Sequence, residues 1–278
     1  MDILENLTRF TERQEKIIAN KILRDDPSKG DMNNRQAVGF KELWGTIFDW
    51  DLLPIYSIRI FGDIGVSPVS TYLTLTLREL GFSTFNTNLL TIPSNMFAIF
   101  SMLALTWISN RFKKGGNAIA NYIQSLWMLP FLFLLRFWSG AALDANNKVW
   151  PTWVILTLVL GYPCAEPITI TWCSVNSNAV RTRAVSAAIV NVFSQLANVA
   201  SANIYREDDA PLYHRGNTQL IIIACAQLLQ ITLTIFYYRW RNARREKTWR
   251  SMTEAERNDY TLNTKDSGNK RLDFRFSY

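Results

Sequence analysis

The chain of 278 residues carries a single histidine and only three cysteines. His214 alone cannot build a histidine-based metal centre. Cys164, Cys173 and Cys225 each fall inside an apolar run and show neither a paired-cysteine framework nor metal-ligand spacing. They read as small buried hydrophobes, so neither a metal site nor a cofactor is expected. No nucleophile–base pair and no phosphate-binding loop is visible, which leaves a membrane enzyme without support. The N-terminus is polar and charged, unlike a cleavable signal peptide. The one glycosylation sequon, Asn6-Leu7-Thr8, lies in that polar segment.

The most informative scarcity is local. Residues 80–110, 115–135, 149–165, 184–205 and 216–238 contain no Lys, Arg, Asp or Glu. A mean hydropathy near zero would suit a soluble protein, but here it averages segregated halves. A bilayer core needs ~20 mostly apolar residues per helix, and several of these runs reach that length. Ten Trp and sixteen Phe fit the same reading, because aromatic residues gather at membrane interfaces.

The expected fold is therefore an all-α membrane protein with six transmembrane helices. A leader (1–50) precedes a six-helix bundle (51–238), and a basic tail (239–278) follows. Within the leader, TERQEKIIANKILRDD (11–26) predicts a surface helix that Thr11 caps, with Gln14 three residues on. Residues 26–36 read as a linker. GFKELWGTIFDWD (39–51) predicts an amphipathic helix lying on the membrane. The spans are placed at about 52–76, 86–108, 117–136, 152–174, 183–204 and 218–238. Basic residues in the short loops balance between the two sides, so flanking clusters such as RWRNARR (239–245) decide the orientation. Both termini are expected in the cytoplasm. The +7 net charge then matches an anionic lipid surface and not a nucleic acid.

Ionisable residues inside the spans are few, and charges at membrane depth usually face a bundle interior or a wet cavity. Arg59 and Asp63 are spaced i,i+4 on one helix face. They form either a neutralised packing pair or part of a substrate and proton site. Arg136, at a span end, can snorkel to the interface. Glu166 stands between Pro163 and Pro167 in GYPCAEPITITWCSVN (161–176), with no basic neighbour in sequence. The prolines interrupt the helix, and such breaks are tolerated where they face protein or water. Glu166 is either a candidate proton carrier or a residue held near one interface by a tilted helix. In the fifth span Asn191, Gln195 and Asn198 form one polar stripe. That stripe serves either interhelical hydrogen bonding or the lining of a cavity. YREDDAPLYHRGN (205–217), between the last two spans, reads as a rigid capped turn, with an entrance filter as the alternative. Charge and proline coincide in spans one and four, corresponding places of two inverted three-helix repeats, which is where a transport site is expected.

YLTLTLRELGFSTFNTNLLTIPS (72–94), WCSVNSNAVRTRAVSAA (172–188) and NIYREDDAPLYHRGN (203–217) resemble the fungal allantoate permease family, anion:cation symporters of the major facilitator superfamily. Residues 11–44 resemble that family's central cytoplasmic loop, and GNKRLDFRF (268–276) its C-terminal tail. RFKKGG (111–116) is similar to a degraded form of the superfamily's basic loop motif, with Asn110 where an acidic residue is usual. The resemblance covers nearly the whole chain but only spans seven to twelve of a twelve-span protein. It implies a plasma-membrane carrier half for small organic anions or vitamins, such as allantoate, pantothenate or nicotinate, moved by proton symport. Arg59 would attract the carboxylate, and Asp63 or Glu166 would take the proton. Asn191, Gln195 and Asn198 would orient the solute. Such a half would need a second copy or a separate N-terminal half. The competing expectation is a truncated, non-transporting or regulatory membrane protein.

Overall fold

A computed structural model of the chain describes residues 39–112, 115–137, 145–178, 180–210, 213–264, 266 and 268–278, with scattered positions between 11 and 20. The described residues form helices and no strand. Most of the expected leader helix and all of the linker at 26–36 lie outside them. At residue 11 the Gln14 side chain accepts the Thr11 N–H at 2.9 Å, one half of a capping box.

The amphipathic segment is α1, Phe40–Ile47. Its outward side is aromatic: Phe40, Trp44, Phe48 and Trp50 are exposed, and the Trp44 and Phe48 rings stack at 5.6 Å. Such a face suits the membrane interface. Next comes α2, Leu53–Glu79, which opens with Pro54 in its first turn, where a missing N–H costs nothing. The following pass is a short helix, α3 (Thr84–Leu90), capped by the Ser83 hydroxyl, and then α4 (Ile92–Arg111). After these come α5 (Gly116–Phe137), α6 (Ala145–Leu160), α7 (Glu166–Ser177), α8 (Val180–Ser201) and α9 (His214–Ser251). The tail folds as α10 (Glu254–Asn263), which Thr253 and Glu256 start with a complete capping box, and an irregular strap, 268–278.

Among the described residues, four stretches are long and apolar enough to cross a membrane: Thr84–Arg111, Gly116–Phe137, Thr182–Ser201 and His214–Ser251. The expected first and fourth spans depart from that pattern for separate reasons. In α2 the length suffices, 27 residues or about 40 Å, but Arg59, Asp63 and a run of Gly, Ser and Thr dilute its hydropathy. The expected fourth span is two helices, α6 and α7, separated by a non-helical link at 161–165. The last helix is longer than expected and carries RWRNARR well beyond the apolar stretch.

Helix α9 packs on α5 and α2, while α8 packs on α2 and α7. Two apolar clusters result. One gathers Leu52, Ile55, Tyr56 and Ile58 with Trp172, Cys173, Ile231 and Tyr238. The other gathers Val66, Val69, Leu73 and Leu77 with Met128, Leu132, Val159 and Leu220. Helix α2 runs through both, and Arg59 and Asp63 fall in the gap between them. Beyond these two, a smaller buried group gathers Leu105 and Ile168, while many other large hydrophobic side chains, among them Phe100, Trp107, Leu196 and Phe236, are exposed, as lipid or a partner would require.

The turn before α2 and the tail meet at one end of the bundle. Asp51, only 2 % exposed, accepts hydrogen bonds from Tyr237, Arg241 and Lys270, and Asn269 donates to Asp49 at 2.8 Å. Burial alone would raise the Asp51 carboxyl, but the bonds from Tyr237, Lys270 and Arg241 outweigh it and hold the group below its ordinary range. At the opposite end, Tyr205 and Tyr213 stack at 4.4 Å, and the Tyr205 hydroxyl bonds Asn217. Asp209 accepts the Gly216 N–H at 3.0 Å. The described residues of 205–217 are braced in this way, and Gly216 is required there because a Cβ would meet the Tyr205 ring at 2.5 Å.

Candidate functional site

The gap between the two apolar clusters holds the buried ions. Arg59 Nη2 lies 2.6 Å from Asp63 Oδ1 and 3.0 Å from Glu166 Oε2. It also donates to Ser194 Oγ of α8 at 3.3 Å. The guanidinium side chain is 6 % exposed, Asp63 13 % and Glu166 38 %, so only the glutamate still reaches open space. The fold supplies what the sequence around Glu166 lacks, a basic partner from a helix about a hundred residues away. Among the described residues Arg59 Nε and Asp63 Oδ2 make no hydrogen bond, which leaves one donor and one acceptor free in the cluster.

Glu166 is where it is because the chain breaks just before it. It is the first residue of α7, and Pro167 follows in the first turn. The partial positive charge of a helix N-terminus favours an anion at that position. Freed backbone groups at the break find partners on neighbouring helices. Gln124 Oε1 of α5 accepts the Ala165 N–H at 2.7 Å. Ser101 of α4 donates to the Gly161 carbonyl at 2.8 Å, and the Trp127 indole to that of Leu158 at 2.9 Å. Phe97 packs so close to Gly161 that a Cβ there would meet its ring at 2.1 Å. Non-helical backbone at membrane depth is stable only when satisfied in this manner. Gln124→Leu should therefore strand the Ala165 N–H and cost about 1–3 kcal/mol. A drop in the thermal unfolding midpoint of the purified chain in detergent checks it, and an unchanged midpoint would show that the break does not need Gln124.

A cavity of about 650 Å³ adjoins the cluster. Its walls come from α2 (Val66, Ser70, Thr74), the start of α4 (Ser94, Asn95) and the link residue Tyr162. Val66 is one helical turn beyond Asp63, and Cys164, also in the wall, is two residues before Glu166. The space thus lies on the side of the ions away from Asp51 and the tail.

Of the six residues singled out in sequence, Arg59, Asp63 and Glu166 come together. Asn191, Gln195 and Asn198 do not join them. All three are exposed on α8, with Asn198 reaching only Gln195 at 3.4 Å. The side of α8 that meets the ions presents Ser194, a residue that sequence reasoning passed over. Gln124 and Gln227 were missed as well. Their amides close on Gly62, one turn from Arg59, where a Cβ would meet Gln227 Nε2 at 3.0 Å and Gln124 Nε2 at 3.3 Å. Each is a lone amide inside a charge-free run, a signal that a search confined to charged groups overlooks.

No family model matches this sequence, and no solved structure matches it. Curated proteins do. The chain is 40% identical over 267 residues to the uncharacterized transporter YIL166C of Saccharomyces cerevisiae, covering 96% of this chain and 48% of that protein. It is also 40% identical over 214 residues to the uncharacterized transporter YOL162W of the same yeast, covering 77% of this chain and 96% of that protein. The MFS-type transporter efuF of Hormonema carpetanum is 23% identical over 242 residues, 86% of this chain and 46% of that protein. The chain thus spans about half the length of YIL166C and nearly all of YOL162W.

Proposed function

The chain belongs to the family of transmembrane transporters that includes YIL166C and YOL162W, and from that membership we propose that it forms half of a proton-coupled carrier for small organic anions or vitamins. The solute class, exemplified by allantoate, pantothenate and nicotinate, follows the family resemblance of residues 72–94, 172–188 and 203–217. The architecture proposed is six spans in two inverted three-helix repeats, the C-terminal half of a major facilitator fold, in the plasma membrane with both ends cytoplasmic. Span one is α2, and span four is the broken pair α6–α7. The exposed stripe of Asn191, Gln195 and Asn198 would face a second half, supplied by a longer chain, a separate polypeptide or another copy, and complete the solute path there.

The observation that carries this reading is one buried arginine shared by two carboxylates on different elements. With both carboxylates ionised the cluster holds one excess negative charge, which is costly away from water. An arriving solute carboxylate competes with Glu166 for Arg59. If Glu166 takes a proton as it lets go, anion and proton enter together and the charge of the site does not change. Glu166 suits that role because it alone of the three remains partly open, and because it sits at a half-helix terminus beside a break, the arrangement found at transport sites. Arg59 would orient the anion, Asp63 would keep the guanidinium in place, and the free Arg59 Nε donor would give the solute a second contact.

The test is uptake of labelled allantoate, pantothenate and nicotinate by a permease-deficient yeast that co-expresses this chain and the N-terminal half of YIL166C. Uptake should quicken as the external medium is made acidic. Glu166→Gln should leave expression and membrane insertion intact and abolish that acceleration. If uptake and its pH profile are the same with glutamine, Glu166 is structural and the proton route is wrong.

A further inference from the structure

The strap at 268–278 has no regular secondary structure beyond its first turn, yet Phe276 is 2 % exposed. Two asparagines, one on each of two helices, read its backbone. Asn242 of α9 donates to the Phe276 carbonyl and accepts the Phe276 N–H, both at 2.8 Å. Asn176 of α7 does the same to the next residue, donating to the Ser277 carbonyl at 3.0 Å and accepting its N–H at 2.8 Å. The Trp172 indole adds a bond to that carbonyl at 2.8 Å. Phe276 fills the space between, stacked on Tyr238 at 4.9 Å and beneath the Arg245 guanidinium at 4.7 Å. Upstream, Arg245 holds the Asn269 carbonyl at 2.8 Å, and Asn178, just past the end of α7, reaches the Gly268 carbonyl at 3.2 Å.

We propose that the C-terminal strap is a latch that fixes the far end of the half-helix α7, the helix that begins at Glu166, against the rest of the bundle. Helix α7 has only 12 residues. One end starts at the non-helical link, which can act as a hinge. The other end is gripped by the strap at Asn176 and Asn178. Consecutive strap residues are bound to α9 and to α7, so the strap joins the far end of α7, which Ser177 also bonds to Ser186 of α8, to the long helix α9. Releasing it would let the Asn176 end of α7 move about the link at 161–165 and tilt the helix that begins at Glu166. The strap lies on the side of the ion cluster opposite the cavity. The consequence for carriage rests on the proton-carrier reading. The latch itself does not, and the experiment reads the latch alone.

Hydrogen exchange followed by mass spectrometry on the full chain in lipid nanodiscs is compared with two variants, Ser277→Pro, which removes the one N–H that Asn176 accepts, and a chain lacking residues 274–278. In both, the amides of Thr169–Ser177 should exchange about tenfold faster, while α5 and the apolar part of α9 keep their rates. The peptide LDFRFSY, matching 272–278, should restore protection to the shortened chain. Unchanged exchange in α7 would overturn the proposal. So would a rise shared equally by α5 and α9, the mark of general loosening. If the shortened chain does not fold, Ser277→Pro decides by the same criteria.

Discussion

Arg59→Ala should lower the stability of the purified chain by about 3–5 kcal/mol, the usual cost of removing one partner from a buried ion pair. The substitution leaves Asp63, 13 % exposed, and Glu166 side by side with no counter-ion. It also removes the bond from Arg59 to Ser194. Thermal unfolding in detergent, followed through the abundant tryptophans, reads the loss. Arg59→Lys keeps the charge but not the planar fork that serves two carboxylates at once, so it should fall between wild type and alanine. The informative companion is Arg59→Ala with Asp63→Ala. Replacing both removes the stranded charge of Asp63 and leaves only Glu166, 38 % exposed, without a counter-ion, so part of the stability should return. Uptake should not return, because the anion has lost its guanidinium. Equal loss of stability in the single and double variants would mean that the cluster is not balanced as its geometry implies. Recovery of uptake together with stability would mean that Arg59 serves packing only.

Trp172→Ala should cost a similar amount, about 3–5 kcal/mol, for a different reason. Trp172 has no exposed surface and stands in the apolar cluster below the ions. Its ring meets Tyr238 edge-on at 6.3 Å, and its indole N–H holds the Ser277 carbonyl at 2.8 Å. Alanine leaves a cavity and removes a bond to the strap. Trp172→Phe separates the two contributions. It retains an aromatic ring against Tyr238 and loses the hydrogen bond, so the cost should shrink to about 1–2 kcal/mol. The same unfolding assay checks both variants, and a phenylalanine as damaging as alanine would place the weight on the indole bond.

The membrane character was legible because it depends on composition along the chain. Runs without charge cannot be stable in water at that length, and they can be stable in lipid. Helix breaking before Glu166 was legible in part from Pro163 and Pro167, but Pro68 and Pro130 lie inside continuous helices, so packing also decides where a proline breaks the chain. The pairing of Arg59 with Asp63 followed from helical spacing alone. By contrast, the pairing of Arg59 with Glu166 spans two distant elements and depends on how α2 and α7 pack. Periodicity does group Asn191, Gln195 and Asn198 on one side of α8, but it cannot say what that side meets. In the fold it points out of the bundle, and Ser194 takes the inward place.

The tail shows the same division. Its basic residues mark it as lying outside the apolar core, and nothing in GNKRLDFRFSY announces a buried strap. Burial of Phe276 and the paired bonds of Asn176 and Asn242 require three separate segments to converge. The sequence by itself determined that this protein is helical, that it belongs in a membrane, and which few charges interrupt its apolar segments. Those properties follow from side-chain chemistry and helical period, which act over a few residues. Only the tertiary structure decided which charges meet, which amides satisfy the break, and where the tail is held. Those depend on contacts between residues far apart in the chain, brought together by packing that no short stretch encodes.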